Sequence, residues 1–142
     1  MRFASVEWIE AVVREVNAHP DLPRALSGLG ADLAAVVERD PVHFPHGAAA
    51  WGRQEGGRIV AWRALEDEDD VLEIDPAYVV RAPLTLWKEL LTGKADPVQA
   101  ALSGRVRVKG DLEGLVRRAG YRYIVEAALR RVETVFPDEV KR

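Results

Sequence analysis

The chain has 142 residues, of which 48% are hydrophobic and 30% are charged, and its formal net charge is −3. This length fits one domain, so we expect residues 1–142 to form a single domain with its own core. The chain contains no cysteine, which excludes disulfides, thiolate metal sites, iron–sulfur clusters and cysteine nucleophiles. The negative net charge argues against a general nucleic-acid binder, which needs a basic field.

The amino-terminal residues do not read as a targeting segment. A glutamate, Glu7, stands where a secretory signal has its apolar region. No apolar run approaches the roughly 20 residues that a membrane span needs. We therefore expect a cytoplasmic protein.

The first part of the chain has apolar residues at helical spacing. Apolar residues recur at every third or fourth position from Val6 to Val16, and Ser5 stands before them as an N-cap. A second, short helix is predicted over residues 22–26, with Gly28 and Gly30 ending it.

The next part of the chain predicts β-strands. Residues 31–39 alternate imperfectly between larger and smaller side chains. Residues 48–53 and 58–65 are predicted to form a hairpin, because the loop between them supplies the glycines that such turns need. Residues 71–74 and 78–81 are predicted to form further strands.

The second half of the chain is mainly helical. Apolar stripes over residues 84–91 and 97–102 predict two helices. Residues 105–109 alternate basic residues with valines and predict a strand. A final helix is predicted over residues 112–136, with a kink or a break at Gly120.

These elements indicate an α+β fold. The connections between the first strands are too short for crossover helices, which predicts a mostly antiparallel sheet. The helices then lie together on one face of that sheet.

One segment, from Trp87 to Asp111, carries a recognisable pattern. An apolar helix ends in the residues Leu90 to Gly93, Asp96-Pro97 starts a short helix, and a basic strand ends in Gly110-Asp111. This order and spacing resemble the signature region of the sterol carrier protein-like lipid-binding domains.

The resemblance implies a sheet of about five strands, mainly antiparallel and covered by helices. It also implies an apolar tunnel between sheet and helices, in which ligand-binding members hold a fatty acid, an acyl-CoA or a sterol-like molecule. It implies no catalytic residue, no metal and no cofactor. The apolar residues that would form the tunnel wall are Trp51, Trp62, Trp87, Leu90, Leu91, Val98, Ala101, Leu102, Leu112, Leu115 and Val116.

A row of cations has two interpretations. Arg105, Arg107 and Lys109 alternate with valines and should lie on one face of a strand. Such a row is usually a solvated outer face. The alternative is a docking patch for phosphate or carboxylate headgroups, or a transient contact with an anionic membrane surface.

Two other clusters are weaker candidates for a site. His43 and His46 lie in a proline-rich loop without the helix-borne spacing of a zinc site. The acidic run over residues 66–70 lacks the glycine and distal glutamate of a calcium loop and predicts an exposed turn.

Two functions from different classes follow. The first is non-catalytic binding or transfer of an apolar lipid ligand in the tunnel. The alternative is a protein-interaction or homodimerisation module with a filled core, which a long helix over residues 112–136 would favour.

Overall fold

The computed structural model describes residues 1–26, 32–117 and 121–139, with backbone alone at 115–117, 121, 122 and 139. No helix in these ranges is long and apolar enough to cross a bilayer. The helices are α1 (Val6–Ala18), α2 (Leu22–Leu26), α3 (Asp70–Ile74), α4 (Leu84–Leu91), α5 (Pro97–Leu102), α6 (Leu112–Arg117) and α7 (Tyr121–Arg131). The strands are β1 (Asp32–Val37), β2 (Ala48–Glu55), β3 (Arg58–Leu65), β4 (Tyr78–Ala82) and β5 (Arg107–Lys109).

The five strands form one sheet in the order β3-β2-β1-β4-β5. Three of the four strand pairs are antiparallel, whereas β1 and β4 run parallel. The chain segment β2-β3-α3 connects that parallel pair. The predicted α+β fold with a mainly antiparallel sheet is therefore confirmed, with one parallel pair at its centre.

The sheet has two unlike faces. Its helix face, which carries Val37 and Ala48, packs against α1 and α4. Its outer face, which carries Ala34 and Val36, packs against Val71 of α3. Side chains alternate between faces along a strand, so neighbouring residues of β1 serve different layers.

The predicted start of α1 is confirmed. The Ser5 side chain accepts a hydrogen bond from the Trp8 backbone N–H, as an N-cap does. At the other end of the helix, the Asn17 carboxamide accepts from the Ile59 N–H at 2.9 Å and donates to the Ile59 carbonyl at 3.0 Å. Asn17 thus pairs with backbone groups at the edge of β3 that a neighbouring strand would otherwise bind.

The hairpin between β2 and β3 also forms as predicted. Gly56 and Gly57 both have positive φ, of 59° and 79°. A Cβ atom at Gly57 would lie 2.6 Å from the Pro23 Cα atom. This turn therefore needs glycine both for its backbone conformation and for its close contact with α2.

The elements of the signature segment have structural roles. The Asp96 carboxylate accepts from the Val98 N–H at 2.8 Å, and Pro97 occupies the first turn of α5. Gly110 has a φ of 116°, and a Cβ atom there would lie 2.6 Å from the Ala77 carbonyl oxygen. The segment therefore determines where α5 starts and how closely the chain after β5 approaches the start of β4.

The prediction of a strand at residues 71–74 is wrong, because Asp70–Ile74 form the helix α3. A short apolar run does not distinguish a strand from a buried helical turn. The acidic run before it is also less exposed than predicted. Arg39 contacts the carboxylates of Asp67, Glu68 and Asp69, and the Glu68 side chain is only 12% exposed.

The predicted helix over residues 112–136 is not one element. Helix α7 ends at Arg131, and the chain then runs back along the amino terminus. Val132 and Phe136 are buried there, and the Phe136 ring lies 5.0 Å from that of Phe3. The predicted break at Gly120 lies outside the described residues.

The helix ends predicted at Gly28 and Gly30 also fall outside the described residues.

The cation row at β5 is solvated, and each member has an acidic partner: Arg105 pairs with Glu89, Arg107 with Glu38 and Lys109 with Asp75. This arrangement favours the interpretation of the row as an ordinary outer face.

A first prediction concerns Ala4, which has a φ of 66° in a tight turn closed by a Ser5 N–H to Arg2 carbonyl hydrogen bond. Glycine adopts this conformation without the cost, roughly 1–2 kcal/mol, that a side chain incurs there. We expect Ala4→Gly to raise the free energy of unfolding by about 0.5 kcal/mol in urea denaturation, after its larger loss of chain entropy. The matched control, Ala127→Gly inside α7, should lower it by about 1 kcal/mol. Equal destabilisation by both variants would contradict a strained Ala4.

A second prediction concerns Asp75. Its carboxylate accepts a hydrogen bond from the Lys109 ammonium at 2.6 Å, which lowers the pKa of Asp75. Lys109→Met should return that pKa toward its ordinary value, as read by carboxyl ¹³C NMR. Because the folded-state pKa is the lowered one, the stabilisation by this pair is present above the unfolded-state pKa. It should be lost as the pH falls through the folded-state pKa.

The matched control is Arg105→Met, which removes a cation of the same row that pairs with a different acid. It should leave the Asp75 titration nearly in place. An Asp75 titration that is identical in wild type and Lys109→Met would show that the pair does not form in solution.

Candidate functional site

A cavity of about 490 Å³ lies between the helix face of the sheet and the helices that cover it. Most of the residues that line it are aliphatic or aromatic. They come from nearly every helix and strand, so the cavity belongs to the fold as a whole. The four charged or amide residues at its boundary are Asp32, Arg53, Gln54 and Glu126.

Small side chains form the floor of this cavity. In the register of the sheet, Ala35 of β1 stands opposite Ala50 of β2, and Ala50 stands opposite Ala64 of β3. The next row contains Gly52, which has no side chain. The centre of the helix face is therefore low, and the helices above it leave space that larger residues would fill.

Two groups of helices form the walls. On the β3 side, α1, α2 and α7 pack together around Val16, Leu22 and Ala128. On the β5 side, α4 and α5 pack on the sheet around Leu86 and Ala100. The cavity is lined from both groups.

The two ends of the cavity differ in chemistry. At the end where β1 finishes, the rings of Phe3 and Trp8 lie 5.1 Å apart and pack with Leu84. At the end where β1 begins, Asp32 and Gln54 border the space. The site therefore has an aromatic end and a polar end.

The structure brings most of the predicted wall residues together. Seven of them line the cavity from β3, α4, α5 and α6: Trp62, Trp87, Leu90, Leu91, Val98, Ala101 and Leu112.

The remaining four predicted wall residues are placed differently. Trp51 borders the cavity, but its indole packs on the outer face and donates to the Asp32 carboxylate at 2.8 Å. Leu102 is 63% exposed on the solvent side of α5. Its place in the wall is a wrong prediction, because the inward face of that helix passes through Ala101. The side chains of Leu115 and Val116 lie outside the described residues.

Sequence reasoning missed the contribution of α1. Trp8, Ile9, Val12 and Val13 all line the cavity. Their helical spacing was the available signal, but it predicts an inward face and does not distinguish a packed core from a cavity wall. The same holds for Leu33 of β1.

The four tryptophans differ in the hydrogen bonds that their indole N–H groups make. Trp87 donates to the Val36 carbonyl at 2.8 Å, and Trp8 donates to the Thr134 hydroxyl at 2.8 Å. Trp51 donates to Asp32 as described above. In the described part of the chain, no acceptor lies within hydrogen-bonding distance of the Trp62 indole N–H.

The lining of the site is suited to apolar contact. The Asp32 carboxylate is already engaged, since it also accepts from the Ala77 N–H at 2.8 Å. The described residues contain no group of three histidine, aspartate or glutamate side chains that could hold a metal ion. Arg39, whose pKa is raised by its hydrogen bond to Asp69, does not line the cavity.

Comparisons with known proteins agree with this architecture. The model of the SCP-2 sterol transfer family matches residues 57–118, which include the signature segment. A comparison with curated proteins finds no match.

Solved structures with the same fold include a crystal structure of sterol carrier protein 2. It is 25% identical, with a TM-score of 0.76 over 92% of this chain and 99% of that one. A conserved hypothetical protein of Thermus thermophilus is 26% identical, with a TM-score of 0.76 over 96% and 92% of the two chains. The apo form of Yarrowia lipolytica sterol carrier protein 2, at 11% identity, shares the fold with a TM-score of 0.54 over 84% and 88%.

The family match covers the strands, turns and helices from the hairpin to α6, and the structural matches at 25% and 26% identity extend over nearly the whole chain. The predicted resemblance is confirmed: part of the chain matches the model of the SCP-2 sterol transfer family, and its fold is that of sterol carrier protein 2.

Proposed function

We propose that this chain binds an apolar lipid ligand, such as a fatty acid, an acyl-CoA or a sterol-like molecule, and carries it without chemical change. The observation that supports this proposal most is the cavity of about 490 Å³ between sheet and helices. The match of residues 57–118 to a family named for sterol transfer agrees with lipid binding or transfer in general.

The size and lining of the cavity suit such a ligand. Small-molecule sites usually occupy about 300–1,000 Å³ and are mainly apolar. Each methylene group that leaves water contributes roughly 0.8 kcal/mol, so about ten methylenes would contribute around 8 kcal/mol before the costs of ordering. Roughly micromolar affinity is therefore the upper limit that ten methylenes would give.

The proposed ligand contacts include both helix groups. Trp87 and Leu90 would contact the ligand from α4, Ala101 from α5, and Val12 and Val13 from α1. The Trp87 indole is held in place by its bond to the β1 backbone. A rigid aromatic wall of this kind favours binding because little side-chain freedom is lost.

The alternative of an interaction or dimerisation module loses its original support. It depended on a continuous helix over residues 112–136 that extended beyond the core. In the structure α7 ends at Arg131, and Val132 and Phe136 are buried in the core of the same chain. No other feature of the described residues favours this alternative over the first.

A third prediction tests the cavity as the binding site. Ala101→Phe places a ring in the space beside α5, so we expect displacement titrations with myristic acid to show binding more than tenfold weaker. Exclusion of about two methylenes already corresponds to this loss. The matched control is the neighbouring variant Leu102→Phe, whose side chain points to solvent and should leave the affinity near that of the wild type.

Native mass spectrometry of gently purified protein is the complementary measurement, because it reports bound lipid and oligomeric state together. We expect lipid adducts on a folded wild-type chain and fewer on Ala101→Phe. Solvent-extracted wild-type protein that shows no saturable response to a fatty acid, an acyl-CoA or a sterol would refute the proposed function.

A further inference from the structure

The Trp62 indole N–H lacks a protein acceptor among the described residues, and this distinguishes one point of the cavity wall. The indole N–H groups of Trp8, Trp51 and Trp87 each have a protein acceptor, whereas that of Trp62 has none in the described residues. Trp62 is partly buried and lines the cavity. Tryptophan N–H groups in such positions usually have a partner.

We propose, building on the lipid-binding function above, that the Trp62 indole N–H is the donor for an oxygen atom of the bound ligand. The ligand class is then an apolar molecule that carries one acceptor oxygen, as in a long-chain alcohol, an ester or a fatty acid. Hydrocarbons of the same length lack the acceptor and are the poorer ligands.

The register of the sheet leaves space for such an oxygen. Trp62 stands opposite Gly52 across β2 and β3, and Gly52 stands opposite Leu33 across β1 and β2. A Cβ atom at Gly52 would have the Ile59 Cγ2 atom, 3.7 Å away, as its nearest neighbour. An added Cβ atom would make only ordinary contacts there, so neither a steric clash nor a positive φ requires glycine, and the missing side chain leaves room beside Trp62.

The position of Trp62 along the cavity fits an oriented ligand. Its row lies near the end where β1 begins, and Gln54 of β2 borders the cavity there. The apolar body of the ligand would extend from there over the alanine floor toward the rings of Phe3 and Trp8. The oxygen would then lie at Trp62 and the hydrocarbon would lie where no polar group needs a partner.

The test compares two ligands that differ in one hydroxyl group, 1-tetradecanol and tetradecane, in displacement of 1-anilinonaphthalene-8-sulfonate. Trp62→Phe keeps an aromatic ring and removes the donor. Both ligands lose contact with the larger ring, so we expect the ratio of tetradecanol affinity to tetradecane affinity to fall about fivefold, the usual effect of one neutral hydrogen bond. Equal changes for the two ligands would overturn the assignment of Trp62.

A spectroscopic readout does not depend on the variant. In ¹⁵N-labelled wild-type protein, the Trp62 indole proton should move downfield on addition of tetradecanol and remain in place with tetradecane. A Trp62 signal that responds alike to both ligands would overturn the proposal.

A second variant, Gly52→Val, fills the space beside the indole. It should weaken the binding of both ligands while the chain stays folded. If tetradecanol bound to this variant as it does to the wild type, the proposed position would be wrong. If neither ligand bound to the wild type although myristic acid did, this inference would be wrong and the lipid-binding function would stand.

Discussion

Small side chains at the centre of the sheet leave the space that the helices cover. Ala35, Ala50 and Ala64 form a row of small side chains across three strands, and Gly52 extends the gap in the next row. The helices above pack around separate clusters on the β3 and β5 sides. An apolar volume of about 490 Å³ remains between them. The fold can keep this volume because its cohesion comes from the flanking clusters, and the aromatic contacts of Phe3 close one end.

Much of the architecture could be predicted from local sequence signals. The Ser5 cap, the Gly56-Gly57 turn and the Asp96-Pro97 helix start each have one dominant conformation, so short motifs are sufficient to place them. The signature segment as a whole predicts the resemblance to the SCP-2 sterol transfer family because it joins several such signals in a fixed order. Most of its inward-facing apolar residues, Trp87 and Leu90 among them, line the cavity.

The remaining features depend on long-range pairing that local patterns do not contain. The parallel pairing of β1 with β4 joins residues 33–37 with residues 78–82, and no local sequence motif predicts this pairing. Trp51 and Trp62 both lie in strands, and only the register shows that their indoles belong to opposite faces. The helix at residues 70–74 ends at Asp75, whose positive φ is a conformation that a sequence pattern seldom reveals. Whether apolar residues enclose a cavity or a packed core is decided by the distance between helices, which composition does not determine.

The central claim is that the cavity on the helix face is where a lipid binds. The most direct test is a titration of ¹³C-methyl-labelled protein with myristic acid, followed by NMR. The account predicts saturable shifts at the cavity-lining methyl groups of Leu33, Val80 and Leu90, with those of Val36 and Val79 on the outer face unchanged. Shifts confined to the outer face, or no saturable shifts, would contradict it.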